Sequence, residues 1–138
     1  MLRLTLFLLA GYFSLSGALI FAFPVQFYEM TPGLAEMGPY NLHFIKDVSF
    51  AFLASGAGLF YGSHHQKRDL ACLAAAWPFM HALFHLQIWG HRGFPFDLIW
   101  LSDFLGVVLP GLLAIALAMK MKPDHLSVQQ NGASSSAS

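Results

Sequence analysis

Four long apolar stretches, each bounded by polar or turn-forming residues, dominate the pattern along the chain. Uncharged runs extend from Leu4 to Tyr28, from Val48 to Gln66, from Leu70 to Phe96 with Arg92 as the one interruption, and from Phe104 to Met119. Each approaches the roughly 20 residues a helix needs to cross the hydrocarbon core of a bilayer. The pattern predicts helices over approximately residues 4–23, 39–62, 70–89 and 96–119. It therefore predicts an all-α polytopic membrane protein, a four-transmembrane-helix bundle.

The breaks between the runs carry the expected punctuation. Pro24 closes the first helix, and the segment to Gly38, with Glu29, Pro32, Gly33 and Glu36, reads as an extramembrane loop with Phe27 and Tyr28 at the interface. Pro39 suits the first turn of the second helix. Ser63 to Asp69 and Gly90 to Pro95 are turns. Pro78 is tolerated inside the third helix because neighbouring helices can satisfy the freed carbonyl, and Pro110-Gly111 predicts a kink in the fourth. Ser14, Ser16 and Gly17 give the first helix a small side, and Ser55, Gly56, Gly58 and Gly62 give the second a face for close packing that includes a G-x-x-x-G spacing. Residues 123–138 end in Gly-Ala-Ser-Ser-Ser-Ala-Ser, too polar and small to build a core, and are expected to form a disordered cytoplasmic tail.

Composition agrees with the pattern. Of 138 residues, 57% are hydrophobic and 10% charged, where a soluble domain carries about 25% charged residues. Zero net charge and the lack of a basic run argue against a nucleic-acid partner and leave the lipid bilayer, a membrane-protein partner or a second copy of the chain. The single Cys72 excludes an intrachain disulfide and CxxC chemistry. Arg3 followed by an apolar run has the look of a secretory signal peptide, but the run is long and no A-x-A pattern precedes Pro24, so it is read as a membrane helix. Arg3, Lys67, Arg68, Lys120 and Lys122 fall on one side of the predicted bundle and Arg92 on the other. The positive-inside rule then places both termini in the cytoplasm of a multi-pass inner-membrane protein.

Ionisable residues inside the predicted helices are the candidate chemistry. In the predicted topology Asn41, His43, Lys46 and Asp47 lie in the outer turns of the second helix, His81 and His85 in the outer turns of the third, and Asp103 in those of the fourth. At 1.5 Å per residue their depths agree within about 10 Å. His43 and Asp47 share a face at i, i+4, as do His81 and His85. An ionisable group in the membrane costs at least about 2.5–3.5 kcal/mol and faces a bundle interior or a water-filled cavity. His43, Asp47, His81, His85 and Asp103 are accordingly expected to form one outer-leaflet cluster. It has two readings: a site for a transition metal, whose imidazole and carboxylate ligands suit Zn, Fe, Ni or Cu, or a structural network in which Lys46 neutralises Asp47 or Asp103. Haem b stays open too, with His43 or Asn41 opposite His81 or His85 as axial groups.

The remaining polar and aromatic residues are read blandly. Asp97 is a first-turn acid favoured by the helix dipole, His64, His65 and His91 are solvated turn residues, and Trp77, Trp89 and Trp100 are interface or packing groups. No P-loop, G-x-S-x-G, H-E-x-x-H or C-x-x-C-H sequence is present.

The stretch Gly38-Pro39-Tyr40-Asn41-Leu42-His43-Phe44-Ile45-Lys46-Asp47, followed by His81-Ala82-Leu83-Phe84-His85, resembles a group of small bacterial four-helix integral membrane proteins, over approximately residues 20–90. The resemblance implies a fold and a location and no activity; Lys46 is where the chain departs from it. Three function classes follow. An enzyme or redox protein would use the cluster beside a membrane-soluble substrate, and an accessory subunit would use the helices to pack in a larger complex. A transporter would need a continuous polar path, against which the apolar cytoplasmic halves of the helices argue.

Overall fold

Capping and turn residues set the helix boundaries, which the computed structural model describes over residues 1–123. Helix α1 spans Leu2–Ala22 and breaks at Phe23, because Pro24 begins a new short helix, α2, Pro24–Met30. Proline at that first position has no N–H to lose and a φ already suited to a helix. A left-handed Gly33 (φ 78°) then opens a single 3-10 turn, Leu34–Glu36. The expected outer loop is thus partly helical.

Helix α3, Leu42–His64, starts three residues later than expected from Pro39, because Asn41 caps it: Oδ1 accepts the Phe44 backbone N–H at 3.1 Å. Helix α4, Arg68–Arg92, runs past Gly90 and ends at the left-handed Gly93 (φ 73°), so His91 and Arg92 form its last turn. Helix α5, Leu98–Met119, is capped by Asp97 and contains a π-helical turn over Phe104–Val108, immediately before Pro110-Gly111. The irregularity expected at the Pro-Gly pair thus takes the form of a π turn upstream of it. The polar tail expected over 123–138 lies, from residue 124, outside the described residues.

The four long helices are each long and apolar enough to cross a membrane, and between 22% and 33% of each span is buried inside the bundle, so most side chains meet lipid. The described residues hold no strand. The chain is an all-α, multi-pass membrane bundle. Helices pack in chain order, α1 on α3, α3 on α4 and α4 on α5, while α1 meets α5 mainly through the second half of α5.

Small residues set the closest approaches. Gly58 and Gly62 both face α4, and a Cβ added at Gly62 would lie 2.8 Å from the Ala71 backbone nitrogen. The G-x-x-x-G spacing is therefore used as a packing face. Gly111 presses against the Pro78 carbonyl and Ala82 of α4, which leaves no room for a side chain. At their ends α1 and α3 clasp each other: Arg3 Nη2 donates to the His64 carbonyl at 3.1 Å, and Lys46 Nζ donates to the Phe21 carbonyl and sits 3.6 Å from the Phe21 ring centroid. Each cation thereby caps the carbonyl end of the other helix. Lys46 is engaged with Phe21, while Asp47 pairs with His43 and Asp103 with His85, in contrast to the structural network expected from sequence.

Candidate functional site

Because α1 and α5 diverge in one half of the bundle, a cavity of about 640 Å³ opens between them, backed by α3 and α4. Its walls are chiefly apolar, and Phe23, Phe27, Phe44, Phe52 and Phe84 contribute five phenyl rings. The segment from Gln26 to Met37 lines the end of it, with Gly33 packed against Ile99 of α5.

One wall is polar. His85 of α4 and Asp103 of α5 both line the cavity, with His85 Nδ1 2.8 Å from Asp103 Oδ2. Their side chains are only 18% and 13% exposed. The contact misses the alignment of a full hydrogen bond. At this distance, however, a bare ring nitrogen and a carboxylate oxygen would repel each other, so Nδ1 is assigned the proton. Trp89, almost fully buried one turn further along α4, donates its indole N–H to the same Oδ2 at 3.2 Å. Sequence reading had placed this Trp among the packing groups. Asp103 Oδ2 thus accepts the Trp89 N–H and faces His85 Nδ1, two groups from one helix face spaced four residues apart.

His81 stands one turn below His85, its ring 4.8 Å from that of His85 at 80° and stacked on Trp77 at 4.9 Å and 15°. Phe52 of α3 meets it edge-on. Two imidazoles and one carboxylate therefore share this wall, as the depth agreement of the third and fourth predicted helices had suggested.

His43 and Asp47 are elsewhere. They pair with each other, Nδ1 to Oδ2 at 2.9 Å, but their side chains are 88% and 60% exposed and neither lines the cavity. The reason is the later start of α3. With Leu42 as its first residue, His43 lies only about 2 Å into the helix and Asp47 about 8 Å, at 1.5 Å per residue, within reach of the headgroup level. Neither needs a partner in the bundle interior. The five-residue cluster is thus resolved into an exposed pair and an interior group of His81, His85 and Asp103.

Among the described residues no group of three or more His, Cys, Asp and Glu side chains is placed to hold a metal ion. His85 and Asp103 face each other, and His81 lies flat on Trp77 at a right angle to His85. The bracket foreseen for a haem is not assembled either. Asn41 is occupied as the α3 cap, and His43 lies outside the cavity.

Two further features adjoin the group. Asp103 is followed at once by the π turn, a geometry that often marks functional sites. An α-helical Gly106 carbonyl would bond the N–H of residue 110, which is a proline and has none; it accepts the Tyr12 hydroxyl of α1 at 2.6 Å instead. At the cavity rim Arg92 Nη2 lies 2.9 Å from Asp97 Oδ2, and Asp97 Oδ1 accepts the Trp100 N–H at 2.8 Å. The Trp100 amide, more than Arg92, holds the Asp97 carboxyl below the usual range.

Comparison of the chain with protein-family models, with curated proteins and with solved structures found no match.

Proposed function

We propose that this protein binds a molecule dissolved in the bilayer and presents the His85–Asp103 pair to its polar group for hydrogen bonding and proton exchange. The observation that carries the reading is the position of that pair in the wall of an otherwise apolar 640 Å³ cavity. Cavities of about 300–1,000 Å³ with a few convergent polar groups are the usual form of a small-molecule site. Asp103 orients the imidazole through its Nδ1 side, leaving Nε2 to take or give a proton. The gap between α1 and α5 gives such a ligand a way in from the lipid.

The same reading includes orientation. Five basic residues near the Ser63–Arg68 end favour a cytoplasmic position for both termini, which puts the cavity in the outer leaflet of a bacterial inner membrane. A transition-metal site at His81, His85 and Asp103 is supported less well, since His85 and Asp103 would first have to part. An accessory-subunit role draws support from the exposed His43–Asp47 pair, which lies free on the rim of α3.

The experiment is to purify the protein in mild detergent, extract it with organic solvent and identify the released molecules by mass spectrometry, alongside a Val48→Trp variant that fills the cavity. A lipophile present at near one per chain in the wild type and depleted in the variant is expected. Equal content in both, with both proteins monodisperse, overturns the reading.

A further inference from the structure

We infer that the ligand of this cavity carries a neutral hydroxyl group on an aromatic ring, as a phenol or a quinol does. The inference rests on the cavity reading above and adds the chemistry of the head group. Three observations converge on it.

The first is the direction of the hydrogen bond on offer. With Nδ1 facing Asp103 Oδ2 at 2.8 Å and assigned the one proton of the neutral tautomer, the His85 ring in that form presents Nε2 as a lone pair. A lone pair calls for a donor. An O–H satisfies it, whereas a ketone, ester or ether oxygen does not.

The second is the charge available at that depth. Among the described residues the cavity is lined by two imidazoles and the carboxylates of Asp103 and Glu36, and its one lining cation, Arg92 at the rim, is paired with Asp97, while Lys46 is turned to the Phe21 carbonyl. A phosphate or carboxylate head would be buried beside Asp103 without a counter-charge, which is costly. An ammonium head would have to share Asp103 with two donors already on its Oδ2, His85 Nδ1 and Trp89 Nε1, whereas a neutral O–H meets the Nε2 lone pair directly.

The third is shape and surface. Five phenylalanine rings line the cavity, and Trp77 and His81 stack beside its polar wall. Flat rings pack on such surfaces edge-to-face or offset, with a gain beyond area burial. A saturated alcohol would use the hydroxyl acceptor and forgo this second set of contacts.

The test titrates purified protein in dodecyl maltoside micelles with four probes that share one octyl chain: para-octylphenol, para-octylanisole, octyl phosphate and octylamine. Para-octylphenol should bind at one site, and its methyl ether, which keeps the ring and loses the O–H, about tenfold or more weaker, the scale of one buried hydrogen bond to an otherwise unsatisfied group. His85→Phe should weaken the phenol to the level of the ether and leave the ether unchanged. Should that variant fail to fold, the phenol-to-ether ratio on the wild type still decides. Equal binding of phenol and ether, both abolished by Val48→Trp, overturns the hydroxyl inference and leaves the cavity reading standing. Tighter binding of octyl phosphate or octylamine than of the phenol overturns the head-group class in the same way. If no probe binds, both readings fall together.

Discussion

The half of the bundle beside the Ser63–Arg68 turn and the half beside the Gln26–Met37 segment are traversed by the same four helices and built on opposite terms. In the turn half, Leu6, Leu59, Ala71, Ala75, Ala114 and Ala118 are all fully buried, and Gly62 and Gly58 let α3 and α4 approach to backbone contact. In the cavity half, phenylalanines and histidines line a cavity of about 640 Å³ instead of interlocking, and α1 and α5 meet there through the Tyr12 hydroxyl and the Gly106 carbonyl. Lipid offers helices no hydrophobic driving force to associate, so close packing of small residues has to supply it. Close packing of this kind joins α3 to α4 in the turn half, and in the cavity half it is confined to the α1–α3 seam, where Gly17 lies against the Ser49 and Leu53 backbone.

The comparison breaks most visibly at Gly62. Replacing it with Leu would drive a side chain into the Ala71 backbone, and we expect a loss of about 3 kcal/mol of stability, seen as a lowered unfolding midpoint in detergent. Gly11, on the same bundle but with nothing within 4 Å of an added Cβ, should accept Leu with little change. Equal losses at the two positions would mean that close approach is not what joins the helices.

Asp103 tests the open half. Asp103→Leu removes the carboxylate that the Trp89 N–H and the His85 Nδ1–H face, at a cost of about 2 kcal/mol. The double variant Asp103→Leu with His85→Phe should recover much of that loss, since a buried polar pair replaced as a whole by apolar groups is often neutral. Simple additivity of the two changes would show that the pair is not energetically coupled.

These two regions were not equally legible in the sequence. Helix number, fold class and the packing use of Gly58 and Gly62 followed from run length and small-residue spacing, because a membrane leaves a chain few alternatives to helices. His81, His85 and Asp103 were found chiefly by depth, since each lies well inside its predicted helix. Depth failed for His43 and Asp47 because it was counted from Pro39, whereas Asn41 starts the helix, and an exposed residue near a helix start needs no interior partner. The Trp89 contact carried no local signal: it joins two helices across 14 positions. The Tyr12 contact was half visible, because Pro110 guarantees an orphaned carbonyl at Gly106, but its donor comes from 94 residues away.

That contact gives a smaller prediction. The Tyr12 hydroxyl joins α1 to α5 beside the cavity, so Tyr12→Phe should cost about 1 kcal/mol, one net hydrogen bond, and leave the turn half unaffected. Hydrogen exchange read by mass spectrometry would locate the change: increased exchange around residues 104–108 is expected, and increased exchange around Ala71 would contradict the independence of the two halves.

The smallest effect belongs to the rim of the cavity half, at Asp97. Its carboxylate accepts the Trp100 N–H and pairs with Arg92, and both favour the charged form, so its folded-state pKa is depressed. A depressed carboxyl contributes stability that is fully present above the unfolded pKa and is lost as pH falls through the folded one. The sign is therefore a loss on acidification, confined to the region below about pH 4, the ordinary aspartate value, and flat at neutral pH. Asp97→Asn isolates this charge, because asparagine caps a helix as well as aspartate does. The difference in unfolding midpoint between wild type and Asp97→Asn should be constant from about pH 7 to pH 5 and shrink below the ordinary carboxylate range. Because the group is exposed, water and salt screen the Arg92 contribution, and added salt should reduce the plateau without removing the acid step that comes from the Trp100 amide. A difference that instead grows on acidification would require Asp97 to be stabilised in its protonated form, and the cap and the ion pair at the rim would then have to be abandoned.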